Sequence, residues 1–268
     1  MAKITVDDDL WALVEPLLPQ HAKNPIGGRP WADDRSALST IIFVLRTGCQ
    51  WQAVRRDLFP VSGSTAWRRL RDWQRLGVWS ALFEVLLANL HGAGKIDWSR
   101  ASVDSSTVQA KGRGEKTGPS PVDRGRPGSK HHIIVDRCGT PLAPPMLTPA
   151  NTSDSPTLPQ MLDRIRPVRG RRGRPRRRPR KLHADKGYDA RSNRLACRRR
   201  RVIARIARRG VESKTRLGKH RWVVERTWAW LHSFRRLLVR YDRLAMVHQA
   251  FLTLAACLVC WNVMQRPL

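Results

Sequence analysis

Between Arg164 and Arg209 the chain carries 21 Lys and Arg against two acids, Asp185 and Asp189, a local excess of +19. No core can hold such a segment, because burying an unpaired cation costs far more than packing returns. These side chains must line a surface. The whole chain of 268 residues has a formal net charge of +30, so most of the imbalance is concentrated here. Arg169–Arg180, broken by Gly170, Gly173, Pro175 and Pro179, reads as a solvated loop. Patterned apolar sequence lies on both sides of it, which a disordered basic tail lacks. A polyanion, with nucleic acid first, is the natural partner, since each phosphate neutralised releases condensed counterions.

With 41% hydrophobic residues the chain can build one large domain or two smaller ones. Asp7, Asp8 and Asp9 replace the basic-then-apolar order of a secretory signal. The longest apolar run, Phe251–Cys260, is shorter than the ~20 residues of a membrane span. A soluble, intracellular protein with no membrane partner is expected. Cys49, Cys138, Cys197, Cys257 and Cys260 include no second C-x-x-C pair to complete a zinc site, so they are read as reduced, with Cys257 and Cys260 in the core.

Leu10–Leu18 reads as a short helix stopped by Pro19, and a Gly/Pro hinge follows at Pro25–Pro30. Asp33 or Asp34 can cap a helix over Arg35–Thr47, with Leu38, Ile41, Ile42 and Leu45 at helical spacing and Gly48 at its end. Trp51–Leu58 reads as a second helix. Ser62 or Ser64 starts a third, Thr65–Leu76, with Trp67, Leu70 and Trp73 inward and Arg68, Arg69, Arg71 and Arg75 elsewhere. Short helix, tight turn and basic helix is the pattern of a helix-turn-helix.

From Ser99 the pattern turns to strands: Ala101–Val108, His132–Asp136 and a hairpin partner Pro141–Thr148, with Lys111–Gly128 as a loop. Pro144-Pro145 cannot supply ladder donors, so that partner must bulge or unpair there. Asp154 or Ser155 before Pro156 starts a helix running to about Ile165. Then come a strand Lys181–Ala184, a helix Ala190–Arg199, a strand Val202–Ala207, a long helix His220–Val239 and a last helix of about Met246–Met264. This order predicts a mixed sheet flanked by helices, an α+β or α/β architecture.

The chain holds only 21 acids, so their placement informs. Asp104 sits in a strand in Val-Asp-Ser-Ser-Thr, Asp185 ends a strand in His-Ala-Asp-Lys-Gly-Tyr-Asp, and Glu225 lies on a helix in Arg-Trp-Val-Val-Glu-Arg-Thr-Trp. Each lies amid basic residues, and oxygen ligands of this kind are what hard divalent cations require. Two such ions can serve an in-line displacement at phosphorus. Arg221 and His232 share the helix face of Glu225.

Ser102–Arg243, carrying these three motifs and Trp-Ala-Trp-Leu-His-Ser-Phe-Arg-Arg-Leu, resembles bacterial insertion-sequence transposases of the DDE class, specifically the IS-five family. Pro30–Leu90, with Gly-Cys-Gln-Trp, is similar to their N-terminal DNA-binding region. The resemblance implies a helical DNA-binding domain over 1–92 and a ribonuclease-H-like catalytic domain over 93–268, with 111–128 a flexible loop. It makes Asp104, Asp185 and Glu225 both catalytic residues and ligands of Mg²⁺ or Mn²⁺, two ions in all. The DNA-facing set is then Arg68, Arg69, Arg71, Lys130, Lys186, Arg221, His232, Arg235 and Arg236. In the family's third motif a tyrosine falls where Gly218 stands and a lysine where His232 stands. The partners implied are double-stranded DNA, as terminal inverted repeats and target, and further copies of the chain, in a bacterial cytoplasm at the nucleoid. A non-catalytic repressor derived from such an enzyme and an arginine-rich RNA-binding protein are the competing readings.

Overall fold

The computed structural model describes residues 5–21, 30–208, 210 and 218–266, with backbone alone over 218–221. The hinge expected at 25–30 lies outside the described residues up to Pro30. Helix α1 (Asp8–Val14) starts where the Asp7 carboxylate accepts the Leu10 N–H at 2.8 Å, and it runs into a 3₁₀ turn over Glu15–Leu17. Asp33 caps α2 (Asp34–Thr47) through Ser36 N–H, and Gly48, at φ +73°, ends it. Ser62 caps α3 (Gly63–Arg75), and α4 (Val78–Gly92) follows. The helix expected at Trp51–Leu58 is only a 3₁₀ turn, Trp51–Ala53. The short helix expected to lead into the tight turn of a helix-turn-helix is therefore absent, and residues 48–62 connect α2 to α3 with only that 3₁₀ turn.

The sheet comprises β1 (Ala101–Ala110), β2 (Gly118–Pro119), β3 (Pro127–Asp136), β4 (Met146–Pro149), β5 (Lys181–Ala184), β6 (Ile203–Ile206) and β7 (Val239–Arg240). Its order is β2-β3-β1-β5-β6, with β4 paired to β3 and β7 to β1. The β1–β3 pair is antiparallel, whereas β5 and β7 join β1 in parallel and β6 joins β5 in parallel. Helices α5 (Thr157–Asp163), α6 (Arg191–Arg199), α7 (Gly218–His232) and α8 (Ala245–Gln265) complete the fold.

The expected break at Pro144-Pro145 is present. Val135 bridges Pro141 and His132 pairs with Met146, so residues 142–145 bulge past two residues of β3. The bulge's carbonyls are satisfied from outside the ladder: the Arg164 guanidinium donates to Pro144 O and Pro145 O, and Gln249 donates to Pro145 O. Lys111–Gly128 is not simply a loop. It contains β2 and the first residues of β3. Nor does the predicted helix His220–Val239 continue: α7 stops at His232, a 3₁₀ turn spans Arg235–Leu237, and β7 pairs with the end of β1. Tertiary pairing overrides helical propensity there.

That override has a visible cause. Arg240 is fully buried and its guanidinium donates to Ser129 Oγ (2.7 Å), Lys116 O (3.2 Å), Asp242 O (2.9 Å) and Arg243 O (3.2 Å), while Arg236 pairs with buried Asp242 at 2.9 Å. One planar fork thus ties β3, the β2 segment and the turn before α8 together.

Helix α8 is apolar on every side, as a helix enclosed by protein must be. Its 21 residues are long and apolar enough to cross a membrane, more than the sequence run suggested, but most of them are buried inside the fold. It packs on α3 and α4 as well as on α7 and β4. Trp51 stacks on Phe251, with ring centroids 5.7 Å apart, and Cys257 approaches Trp79 O. The N-terminal helices and the sheet share one hydrophobic core. Three histidines lie in it. His131 and His248 meet Nε2 to Nε2 at 2.9 Å, and burial first, then each other's charge in the case of His131, pulls their pKa values down; burial lowers His132 to about 4.

Two outcomes follow. Arg240→Met should lower stability by about 3 kcal/mol in urea unfolding, since several buried carbonyls lose their donor, and Arg240→Lys should fail to restore it because an ammonium lacks the fork. Full stability in the Lys variant would contradict the role of the fork. Between about pH 6.5 and 4 the unfolded chain binds protons that the three buried histidines refuse, so stability should fall as pH drops through that window. Asp136, pushed up to about 6 by burial, opposes the trend as a single group. A melting temperature that rises from pH 7 to pH 5 would contradict the balance.

Candidate active site

Strand alternation sorts the Val-Asp-Ser-Ser-Thr segment onto two faces. Ser105 and Thr107 stand opposite His132 and Lys130, while Asp104 and Ser106 stand opposite Ile133 and His131. The second face is the one α7 and α8 cover, since His131 lies 6.5 Å from the Trp228 ring and meets His248. On the other side of β1, the parallel register pairs Ala101 with Leu182 and Ser102 with His183. Two residues further on, Asp104 and Asp185 stand level, at the point where β5 ends and the chains part.

Asp185 begins a 3₁₀ turn, Lys186–Tyr188, with its Oδ1 accepting the Gly187 N–H at 2.9 Å. The glycine lets the turn fold tightly over the carboxylate: a Cβ at 187 would meet Asp185 Oδ1 at 3.0 Å. Tyr188 is buried beneath, with its hydroxyl facing Ser105. Its pKa is held well above the ordinary value by burial and then by the negative charge of Asp154, Asp104 and Asp185. Asn193 of α6 locks the turn from behind, donating to Tyr188 O (2.9 Å) and Ser155 Oγ (3.0 Å).

Asp154 escaped the sequence reading, which took it as a helix start. Its carboxylate instead accepts from Ser105 Oγ (2.9 Å) and Lys130 Nζ (3.0 Å), and Lys130 also donates to Thr152 O. An Asp-Ser-Pro tripeptide signals a cap, and only the sheet register shows that it faces β1 and β3. Glu225 is exposed on α7, whose Val223, Val224, Thr227, Trp228 and Leu231 pack inward. That helix lies against β1, β3 and β5. Among the described residues no three His, Cys, Asp or Glu side chains converge closely enough to hold a metal ion. The register sets Asp104 and Asp185 level where β1 and β5 part and leaves Glu225 on the adjoining helix.

The predicted DNA-facing residues divide. Arg68 and Arg235 are exposed, and Lys186 is half-buried beside Asp185. Arg69 is committed within the fold, 2.8 Å from Asp34 and over the Trp31 ring, and Arg71 pairs with Asp72 and covers Trp67. Arg236 is buried on Asp242 and Lys130 on Asp154. His232 stacks on Trp228 and burial lowers its pKa, which favours a neutral ring. The side chain of Arg221 lies outside the described residues.

The arginine loop is docked. Val168 and Arg176 exchange backbone hydrogen bonds, and the Arg171 guanidinium donates to His91 O. Gly170 lies so close to α4 that a Cβ there would meet Ala88 O at 2.1 Å. Arg171–Arg178 are all exposed, and several of them line a cavity of about 1090 Å³ with Trp98 and Val202. It opens where β1 and β5 begin, at the end of β5 away from Asp185.

A family model described as a transposase DDE domain matches residues 99–260, and one assigned to transposases of the IS4/5 family matches 6–83. A Burkholderia cepacia protein assigned as the transposase for insertion sequence element IS402 is 55% identical over 151 residues, covering 56% of this chain and 71% of its own length. The insertion element IS402 uncharacterized 16.2 kDa protein of the same organism is 51% identical over 125 residues, 45% of this chain and 84% of that protein. A match to the DDE domain itself favours an enzyme over a DNA-binding relic. The chain is a DNA transposase and belongs to the DDE transposases of bacterial insertion sequences.

Proposed function

We propose that this transposase binds the ends of its insertion sequence, cuts the strands by hydrolysis to expose a 3′ hydroxyl, and joins that hydroxyl to target DNA in the same site. The observation that carries the reading is the parallel register of β1 and β5, which sets Asp104 level with Asp185 just past the end of β5. Two carboxylates so placed fit a hard divalent cation such as Mg²⁺, and Glu225 is the proposed third acid. When bound, the cation stabilises charge developing on the scissile phosphate and supports the attacking oxygen. The chain's own residues hold the parts in place. The Gly187 N–H orients Asp185, Asp154 and Thr152 hold the Lys130 ammonium on the Ser105 face of the sheet, and Ser105 links Asp154 to the strand carrying Asp104. Arg68 on α3 contacts the element's ends, the docked arginine loop follows phosphate backbone, and the working form is a homodimer or larger multimer on DNA.

In Asp185→Ala, duplex binding should stay within about twofold while strand cleavage falls by about 10³-fold, corresponding to several kcal/mol of transition-state stabilisation. Cleavage that survives this change, or proceeds fully in excess chelator, would contradict the reading. Arg68→Ala should lower the preference for element ends over random duplex by about 1–3 kcal/mol without changing the melting temperature, as removal of a guanine partner does. Arg69→Ala should instead lower the melting temperature, because Asp34 loses its cation. The reverse pattern in competition binding and thermal melts would reassign the two. Neutralising Arg172, Arg174, Arg176 and Arg177 together should weaken all duplexes alike and flatten the log–log salt dependence by roughly 0.9 for every phosphate that is no longer neutralised. Selective loss of end recognition would show that the loop reads sequence.

A further inference from the structure

The arginine loop folds back on itself instead of running in one line. Gly170, at φ +112°, backs onto Ala88 O, and the backbone hydrogen bonds between Val168 and Arg176 close the segment between them into a turn. The guanidinium groups consequently surround a hollow. Arg172, Arg174, Arg176 and Arg177 from the loop, Arg180 just before β5 and Arg201 just before β6 all line the cavity of about 1090 Å³, with Trp98 and Val202 in its wall. Its one acid, Asp163, is taken by Arg200, which donates to both carboxylate oxygens at 2.7 and 2.6 Å. Among the described residues no carboxylate pairs with Arg172, Arg174, Arg176, Arg180 or Arg201. Cations gathered around one hollow repel one another, and an anion entering it relieves that repulsion.

The backbone at Arg201 points the same way. Helix α6 is closed by the Val202 N–H, which reaches back to Cys197 O at 2.9 Å, and the residue that turns this corner, Arg201, has φ +54°. Glycine is the residue that suits a left-handed position at a helix end, and a side chain there is strained. Here the strained position carries a guanidinium into the cavity wall. The shape of the cavity then selects among anions. A duplex carries its phosphates along the outside of a cylinder and is matched by a row of cations on a surface, whereas cations around a hollow match an anion compact enough to enter it. The guanidinium fork suits phosphate oxygens. Because the cavity opens at the end of β5 away from Asp185, its occupant is distinct from the phosphate that the acids would cut.

We infer that this cavity is a binding site for a compact polyphosphate, a chain of linked phosphates either inorganic or borne by a nucleoside, and that its occupant withdraws the loop's arginines from DNA. The binding stands on the cavity alone. The withdrawal rests on the reading of the loop as a contact to duplex backbone.

The test is calorimetric titration of inorganic tripolyphosphate into the full-length protein at fixed ionic strength without divalent cations, with inorganic phosphate and ATP as comparison ligands. Tripolyphosphate should bind far more tightly than phosphate and raise the melting temperature, as any ligand of the folded state does. Tighter binding of ATP assigns the site to a nucleoside-borne chain, and weaker or equal binding to an inorganic one. Arg201→Gly should raise the Kd about tenfold, as loss of one charge-assisted hydrogen bond does, while the melting temperature without ligand holds or rises because the strain is gone. Arg180→Gln should weaken binding similarly. Arg113→Gly removes an exposed arginine from a left-handed position outside the cavity, φ +51°, and should leave the Kd unchanged. Tripolyphosphate binding no tighter than phosphate, or a Kd that the cavity variants leave unchanged or that Arg113→Gly shifts equally, overturns the site. Tripolyphosphate should also weaken duplex binding beyond the effect of sodium chloride at matched ionic strength. Tight polyphosphate binding with duplex affinity untouched would overturn the withdrawal and fault the backbone reading of the loop, whereas duplex affinity that falls on neutralising the loop, without polyphosphate binding, would overturn the cavity site alone.

Discussion

The candidate site depends first on the parallel pairing of β1 with β5. The antiparallel β1–β3 pair is sequence-near, but β5 arrives only after the bulge, α5 and the arginine loop. Because side chains alternate with a period of two, a slip of one residue in the register that sets Ala101 opposite Leu182 would put the two aspartates on opposite faces. The register is pinned from several sides. Tyr188 is buried just past β5, Asn193 holds its carbonyl, and β6 pairs with all four residues of β5. The acids stand where β1 and β5 part.

Arginine has two separate duties in this chain. On the docked loop and at Arg68 the guanidinium groups are exposed to solvent and suit a polyanion. At Arg240, Arg236, Arg164 and Arg69 the same group is drawn inward to hydroxyls, carbonyls and carboxylates within the fold. The proline-broken hairpin shows why this is needed. The bulge frees two carbonyls, and a long side chain with a fixed fork reaches both. Charge that composition alone would assign wholly to DNA is partly structural.

Much of the fold is legible in the sequence. The strand Lys181–Ala184 appears with its expected bounds because the arginine loop and the Asp-Lys-Gly turn delimit it sharply, α2 and α3 follow their caps and periodicity, and α6 falls within the helix expected at Ala190–Arg199. The proline break in the hairpin follows from a missing donor, a local fact. What is not legible depends on distant partners. Nothing near Ser233 announces that α7 ends there, since β7 forms only because β1 offers an edge and Arg240 finds Ser129. Asp154 looks like a helix start until β1 and β3 place Ser105 and Lys130 beside it. Likewise Arg69 and Arg236 look like their exposed neighbours Arg68 and Arg235, and only the positions of Asp34 and Asp242 set them apart.

Asp104 and Asp185 are proposed to act as one cation site, and the rest of the mechanism stands on that. Calorimetric titration of Mn²⁺ into the full-length protein and into Asp104→Asn, Asp185→Asn and the double variant tests it directly, because residues sharing one ligand show strongly non-additive effects. A shared site predicts that each single change abolishes most of the binding and that the double change removes little more. Independent, additive losses, or Mn²⁺ affinity that is indifferent to either substitution, would contradict it.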